Sequence, residues 1–270
     1  MPDNLAPVRP SVDTWTLIGL VLLLSPLLTM AHELLGHALT CMAVGHVPSE
    51  LGAYYVNCPD TSGWRKLVVS MAGTGVDVVV AILAYFAWRA ARRPLVRLSL
   101  WIVFAVKGMV AAGYWMFSGI TTIGDWGIAK DGGLGLLPHA WILRSLLTIV
   151  GLVGYIGVVR IATGMLVRML GGREQAAFVQ RKIAMTVYFV GGACAFLVSL
   201  LNPQGFVITL VSAIAASFGG TAGMFNVAFR PVGSRPPTDF HVRRHYAIVA
   251  AGIAMTLAFA IVLGPTVYLR

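Results

Sequence analysis

Residues 14–45 read TWTLIGLVLLLSPLLTMAHELLGHALTCMAVG, an apolar run that carries one glutamate and two histidines near its middle. At 1.5 Å of rise per residue, a helix of this length is about 48 Å long, whereas the apolar core of a bilayer is about 30 Å thick. We therefore expect this segment to cross a membrane with a tilt, or with a kink at Pro26.

The composition of the whole chain agrees with a membrane location. Hydrophobic residues make up 58% of the 270 residues, charged residues 11%, and the mean hydropathy is +0.82. These values predict an all-α, polytopic bundle of six or seven transmembrane helices that forms a single domain over residues 1–270. The spanning runs are expected near 14–45, 64–88, 98–120, 138–167, 182–200, 203–227 and 244–268.

The distribution of positive charge orients the chain. With seven spans, one side of the membrane carries thirteen lysines and arginines and the other only four, so the amino terminus is predicted to be cytoplasmic and the carboxyl terminus external. The basic runs are short and interrupted, which fits contact with the lipid bilayer and gives no indication of nucleic-acid binding. No cleavable signal peptide is expected, and a plasma membrane or bacterial inner membrane is the expected location. The thirteen lysines and arginines assigned to the cytoplasmic side are Arg9, Arg89, Arg92, Arg93, Arg97, Arg168, Arg173, Arg181, Lys182, Arg230, Arg235, Arg243 and Arg244.

The three cysteines are an odd number without metal-ligand spacing, so the sequence supports neither a disulfide framework nor a zinc ribbon. Cys194 lies beside two glycines and is expected to be a small packing residue. Glu33, His37 and Cys41 recur every four residues and share one helix face, so the alternative for Cys41 is a thiol that lies next to a metal ion.

The sequence HELLGH contains His32, Glu33 and His37 and differs by one residue from the familiar H-E-x-x-H zinc motif. A separation of five residues turns the second histidine by about 140° on a regular helix, so both rings cannot reach one metal ion there. A single wide turn of the π type would bring the two rings back to one face, and Gly36 makes that turn sterically easier.

These six residues resemble the zinc motif of the dipeptidyl peptidase III family, in which both histidines bind zinc. A broader resemblance covers roughly residues 28–135: HELLGHALTCMAVGH at 32–46, MAGTGVDVVVAILA at 71–84, and an aspartate after the next span. This arrangement resembles the site-2 protease family of intramembrane zinc metalloproteases. The chain has an extra leucine in the first motif, and threonine and aspartate in the second where the family has proline and asparagine.

The resemblance implies a catalytic core over residues 1–136, with residues 137–270 adding further transmembrane helices. It implies Zn²⁺ held by His32, His37 and Asp125, with Asp125 on a re-entrant or irregular loop and Glu33 as the general base that takes a proton from a zinc-activated water. The implied partner is a membrane-embedded protein substrate. Asp77 stands at the family's asparagine and would bind substrate, orient a ligand or replace Asp125 as third ligand. Asp131 is the other alternative to Asp125.

Asp77 also has a structural interpretation, because Lys107 is predicted to lie at a similar depth in the next span. A salt bridge between them would neutralise two costly charges and fix the helix register. A transporter or assembly factor that uses this pair is therefore one alternative function, and a membrane metallohydrolase with a non-protein substrate is another.

Two further alternatives concern local structure. Glu33 and His37 are correctly spaced to hydrogen-bond on a regular helix, so HELLGH could be a structural pair without a metal. The aromatic and β-branched segment 53–57 is predicted either to form an edge strand that pairs with a substrate or to anchor the chain at the membrane interface.

Overall fold

The computed structural model describes residues 10–127, 134, 137–171, 174–203, 213–230, 236 and 238–269. Within these ranges five helical segments are long and apolar enough to cross a membrane, which confirms the predicted all-α membrane bundle. They comprise Thr14–Ala43, Gly63–Ala90, Pro94–Thr121, Ala140–Leu170 and Ala176–Ser199.

The first of these segments changes its helical type on the way. It consists of α1 (Thr14–Met30), a π-helical segment (Ala31–Ala38) and α2 (Leu39–Ala43). Asp13 caps α1, since the Thr16 amide donates to its carboxylate at 2.9 Å. This hydrogen bond lowers the pKa of the Asp13 carboxyl. The helix continues through Pro26.

Four long helices follow: α3 (Gly63–Ala90), α4 (Pro94–Thr121), α5 (Ala140–Leu170) and α6 (Glu174–Ser199). The predicted run 203–227 is not one continuous helix where it is described. It contains a π-helical turn (Ala215–Gly219), a non-helical turn at 220–222 and the start of α7 (Gly223–Phe229). The last helix, α8 (Tyr246–Val262), has 17 residues.

Two small sheets mark the ends of the bundle. Before α1, β1 (Ser11–Val12) pairs in parallel with β4 (His241–Val242). After α2, β2 (Glu50–Leu51) pairs with β3 (Val56–Asn57) and with β5 (Val267–Tyr268), in the order β3-β2-β5. Because β1 precedes the first helical segment and β2 follows it, the two sheets lie at opposite ends of that segment.

The centre of the bundle is α4, which packs between α3 and α5. Trp101 is fully buried, and its indole nitrogen donates to the Ala162 carbonyl at 2.9 Å. The π-helical segment crosses α3 closely at Gly36, where an added Cβ would lie 2.5 Å from the Cα of Gly73. Glycine is therefore needed at this crossing, which brings the HELLGH residues next to the middle of α3.

The prediction for two of the cysteines is wrong. Cys41 and Cys58 form a disulfide with their Cα atoms 6.0 Å apart, because the β2–β3 hairpin turns the chain back toward the end of α2. The bond also removes the Cys41 thiol as a metal neighbour. Cys194 is free and buried, as expected of a packing residue.

Candidate metal centre

The π-helical segment brings the two histidines of HELLGH together. Their Nε2 atoms are 3.3 Å apart, and the rings meet edge to face with centroids 5.0 Å apart. The π-helix spans Ala31–Ala38 and absorbs the inserted residue. The prediction of a wide turn at this position is confirmed.

Asp125 completes a group of three. It lies in the irregular segment after α4, with Oδ2 3.2 Å from Nε2 of His32 and Oδ1 3.6 Å from Nε2 of His37. The hydroxyl of Thr74 donates to Oδ2 at 2.8 Å. His32, His37 and Asp125 together could hold a metal ion. Asp131 lies outside the described residues.

The hydrogen bonds of the two Nδ1 atoms determine the tautomer of each imidazole, and therefore whether its Nε2 atom carries a proton. Nδ1 of His32 is 2.9 Å from Oδ2 of Asp77, and Nδ1 of His37 is 2.7 Å from the carbonyl oxygen of Val69. Since a carboxylate and a carbonyl only accept, both Nδ1 atoms carry the proton. In neutral imidazoles, both Nε2 atoms then present lone pairs to each other and to Asp125. These lone pairs repel one another and the carboxylate of Asp125. A cation bound between the two Nε2 atoms and Asp125 would attract all three.

The distances within the group match the requirements of zinc. Bonds of about 2.0–2.1 Å in a tetrahedral site place neighbouring ligand atoms about 3.3–3.4 Å apart. The three separations are 3.2, 3.3 and 3.6 Å. Two imidazoles and one carboxylate are also a donor set found in catalytic zinc sites. These residues could therefore hold a metal ion, and their donor set is compatible with the zinc that the family resemblance implies.

Gly73 leaves the meeting point open. A Cβ at this position would lie 2.5 Å from Nε2 of His32 and closer still to Nε2 of His37. Any larger residue would fill the space between the two nitrogens. The sequence alone does not distinguish Gly73 from the other glycines of α3, because its role depends on the approach of the π-helical segment.

Asp77 and Lys107 form the predicted buried ion pair. Nζ of Lys107 contacts Oδ1 of Asp77, and both side chains are at least 95% buried. Oδ2 of the same carboxylate binds Nδ1 of His32, the ring atom that faces away from Asp125. Of the three roles considered for Asp77, this geometry corresponds to orienting a ligand.

Glu33 is buried next to the group, and its Oε2 has no hydrogen-bond partner among the described residues. The structural pair with His37 is not formed, because His37 uses Nδ1 to bind Val69 and turns Nε2 toward Asp125. An unpaired buried carboxyl group is costly and calls for a ligand, a water or a proton.

Two cavities meet at Glu33. One has a volume of about 400 Å³ and is lined by His37, Asp125 and the β3 region. The other, of about 90 Å³, lies deeper between α1, α4 and α6 and is lined by Lys107. The residues common to both cavities are Glu33, Tyr54 and Tyr114, and the Tyr114 ring stacks on His32 with centroids 5.6 Å apart.

The segment 53–57 contributes β3, which pairs on one side only, with β2. Val56 and Asn57 of this strand line the larger cavity. The predicted edge strand is therefore present within the described part of the chain, and it borders the cavity that contains the metal-binding group.

Comparison of the chain with protein-family models, with curated proteins and with solved structures finds no match. The interpretation of the site accordingly rests on its residues and their geometry.

Proposed function

We propose that this protein is an intramembrane zinc metalloprotease that hydrolyses a peptide bond of a membrane-embedded protein. The observation that carries the proposal is the convergence of His32, His37 and Asp125 on one point, with the unpartnered carboxyl group of Glu33 beside it. This combination supplies a metal-binding group and a base in one cavity, which peptide hydrolysis requires.

Each residue has a distinct task in this reaction. Zinc, when bound, polarises the scissile carbonyl and acidifies a water molecule. Glu33 takes the proton of the attacking water and transfers it to the leaving amine. Asp77 holds the ring of His32, and Thr74 holds the carboxylate of Asp125. Lys107 balances the charge of Asp77 in the apolar interior.

The free edge of β3 offers a way to bind the substrate. The carbonyl oxygens of Tyr55 and Asn57 accept from the amides of Gly52 and Ser49, which flank β2, so the other edge of β3 is available to pair with an extended segment. Backbone pairing would align an unwound substrate along the larger cavity without demanding a particular sequence. The peptide bond would then lie close to Glu33.

Two features support one orientation of the protein in the membrane. The Cys41–Cys58 disulfide lies beside the larger cavity, and disulfides persist mainly in oxidising compartments. The lysine and arginine count assigns the same end of the bundle to the extracytoplasmic side. We infer seven passes, a cytoplasmic amino terminus and a site that opens toward the outer face.

The test compares the natural protein with Glu33→Gln, which keeps the shape of the side chain and removes the base. Both are incubated with isolated membranes of the expression host, and new protein amino termini are identified by chemical labelling and mass spectrometry. We expect termini that depend on the natural protein and disappear with Glu33→Gln, whereas the exposed Asp239→Asn control leaves them unchanged. Equal termini from the natural protein and Glu33→Gln would contradict the proposal.

One observation favours a second function, that of a transporter. The Asp77–Lys107 pair is buried in the middle of the bundle, and Lys107 lines the deeper cavity, as a proton- or ion-coupled pathway would require. A transporter would tolerate Glu33→Gln and lose activity with Lys107→Met. A membrane metallohydrolase with a non-protein substrate would instead lose its activity with Glu33→Gln and produce no new protein termini.

A further inference from the structure

The two arginines in the interior of α5 differ in their contacts. Arg144 donates from Nε to the carbonyl oxygen of Gly119 and from Nη2 to that of Ile120, both at 3.1 Å. These acceptors are free carbonyls at the end of α4, so Arg144 is satisfied by the protein. Arg160 has no hydrogen bond or ion pair with any described residue and is exposed on the helix surface.

Arg160 lies far from the end of its helix. Ten residues separate it from Leu170, where α5 ends. This separation corresponds to about 15 Å along the helix axis. The nearer end of the bundle is the one formed by β1 and β4, because Thr238 donates to the carbonyl of Met169 there. Because the 31 residues of α5 exceed the length needed to cross the apolar core, Arg160 lies within side-chain reach of the boundary of that core, where its guanidinium needs an anion or polar group to accept its hydrogen bonds.

A groove with a volume of about 530 Å³ contains a second arginine beside Arg160. It runs between α5 and α7, and Arg160 and Arg230 both line it. Arg230 is exposed and forms no ion pair with a described carboxylate. Two cations in one groove repel each other unless an anion lies between them. The remaining lining residues are Tyr155, Ile156, Val159, Phe225, Asn226 and Phe229.

The walls of the groove are apolar and face outward. Phe225 is 40% exposed and Phe229 is 56% exposed. The ring of Phe229 also contacts the guanidinium of Arg181, whose central carbon is 4.9 Å from the ring centroid. This contact holds the ring and adds positive charge to the same region. Such a surface favours a ligand that has both an anionic head and an apolar chain.

We propose that this groove binds one anionic phospholipid of the leaflet at the β1–β4 end, which is the inner leaflet in the orientation proposed above. Arg160 and Arg230 donate to the oxygens of the phosphate, and Asn226 lies within reach of the glycerol or headgroup. An acyl chain lies along Phe225 and Phe229. Guanidinium groups suit this task because their planar donors match phosphate oxygens. A soluble phosphate would gain nothing from the exposed aromatic walls, so we assign the site to lipid.

The experiment uses the full chain, purified in detergent and stripped of lipid. Native mass spectrometry measures the binding of phosphatidylglycerol and of phosphatidylcholine to the natural protein, to Arg160→Gln and to Arg230→Gln. Arg243→Gln is the matched control, because Arg243 is exposed at the same end and does not line the groove. Thermal unfolding verifies that all variants are folded, as expected for exposed positions.

We expect the natural protein to bind phosphatidylglycerol in preference to phosphatidylcholine. Each groove substitution should weaken phosphatidylglycerol binding about five-fold or more, whereas Arg243→Gln should have no effect. Equal weakening by the control would indicate a diffuse basic surface and overturn the proposal. Unchanged binding in both groove variants, or displacement of the lipid by glycerol 3-phosphate at the same concentration, would overturn it too.

Discussion

Gly73→Ala tests whether the space between the two histidines is a metal site. The added carbon would lie 2.5 Å from Nε2 of His32, about 1 Å inside the roughly 3.5 Å of a favourable heavy-atom contact. The imidazoles cannot turn away freely, because Asp77 and Val69 hold their Nδ1 atoms. The methyl group therefore occupies the point on which the ligand atoms converge.

We expect this substitution to reduce zinc affinity by at least about 100-fold. Removing groups that only orient a ligand costs about 10–100-fold, and an obstruction between the ligands should cost more. The assay is competition with a chromophoric zinc chelator in detergent. Gly75→Ala is the matched control, since an added Cβ at this α3 position meets no atom within 4 Å. It should keep full affinity and stabilise the helix by up to about 1 kcal/mol.

Two results would refute this reasoning. Gly73→Ala could fold and bind zinc with unchanged affinity, in which case the metal does not lie between the two Nε2 atoms. Alternatively, Gly75→Ala could lose zinc to the same extent, and the effect would then arise from α3 as a whole.

Three further predictions concern groups around the site. Thr74→Val removes the hydroxyl that donates to Asp125 and should weaken zinc binding about 10-fold or more, while Thr74→Ser should retain it in the same chelator assay. Lys107→Met leaves a buried charge on Asp77 and should lower the free energy of unfolding by about 3–5 kcal/mol; adding Asp77→Asn should recover part of this loss, and an additive double mutant would contradict the ion pair. Cys58→Ser opens a loop of sequence separation 17 and should cost about 3 kcal/mol of stability in denaturant unfolding, whereas an unchanged electrophoretic mobility with and without reductant in the natural protein would show that no disulfide forms.

The parts of the site that could be predicted from sequence depend on local spacing. The separation of His32 and His37 was incompatible with a regular helix, so only a wide turn could bring both rings to one metal. A charged residue in the middle of an apolar span is costly, so Asp77 and Lys107 are expected to pair with each other or to bind a ligand. These inferences used the helical period and the cost of burying charge.

The features that could not be predicted depend on contacts between residues that are far apart in the sequence. Thr74 was identified only as a departure from the family pattern, and its contact with Asp125 requires the loop after α4 to return to α3. The Cys41–Cys58 disulfide depends on the β2–β3 hairpin, whose strands are two residues long and carry a weak signal. Residues 53–57 are predicted to be either an edge strand or an interfacial anchor, and nothing in the two segments indicates that β2 pairs with the carboxyl-terminal β5.

The most direct test of the central claim is the zinc content of the purified, detergent-solubilised protein, measured by elemental mass spectrometry beside His32→Ala, His37→Ala, Asp125→Ala and the control Asp239→Asn. The account predicts about one zinc ion per chain in the natural protein and in the control, and loss of the metal in the other three variants. A natural protein without zinc after growth in zinc-replete medium would contradict it and leave a buried His–Asp network in place of a metal centre.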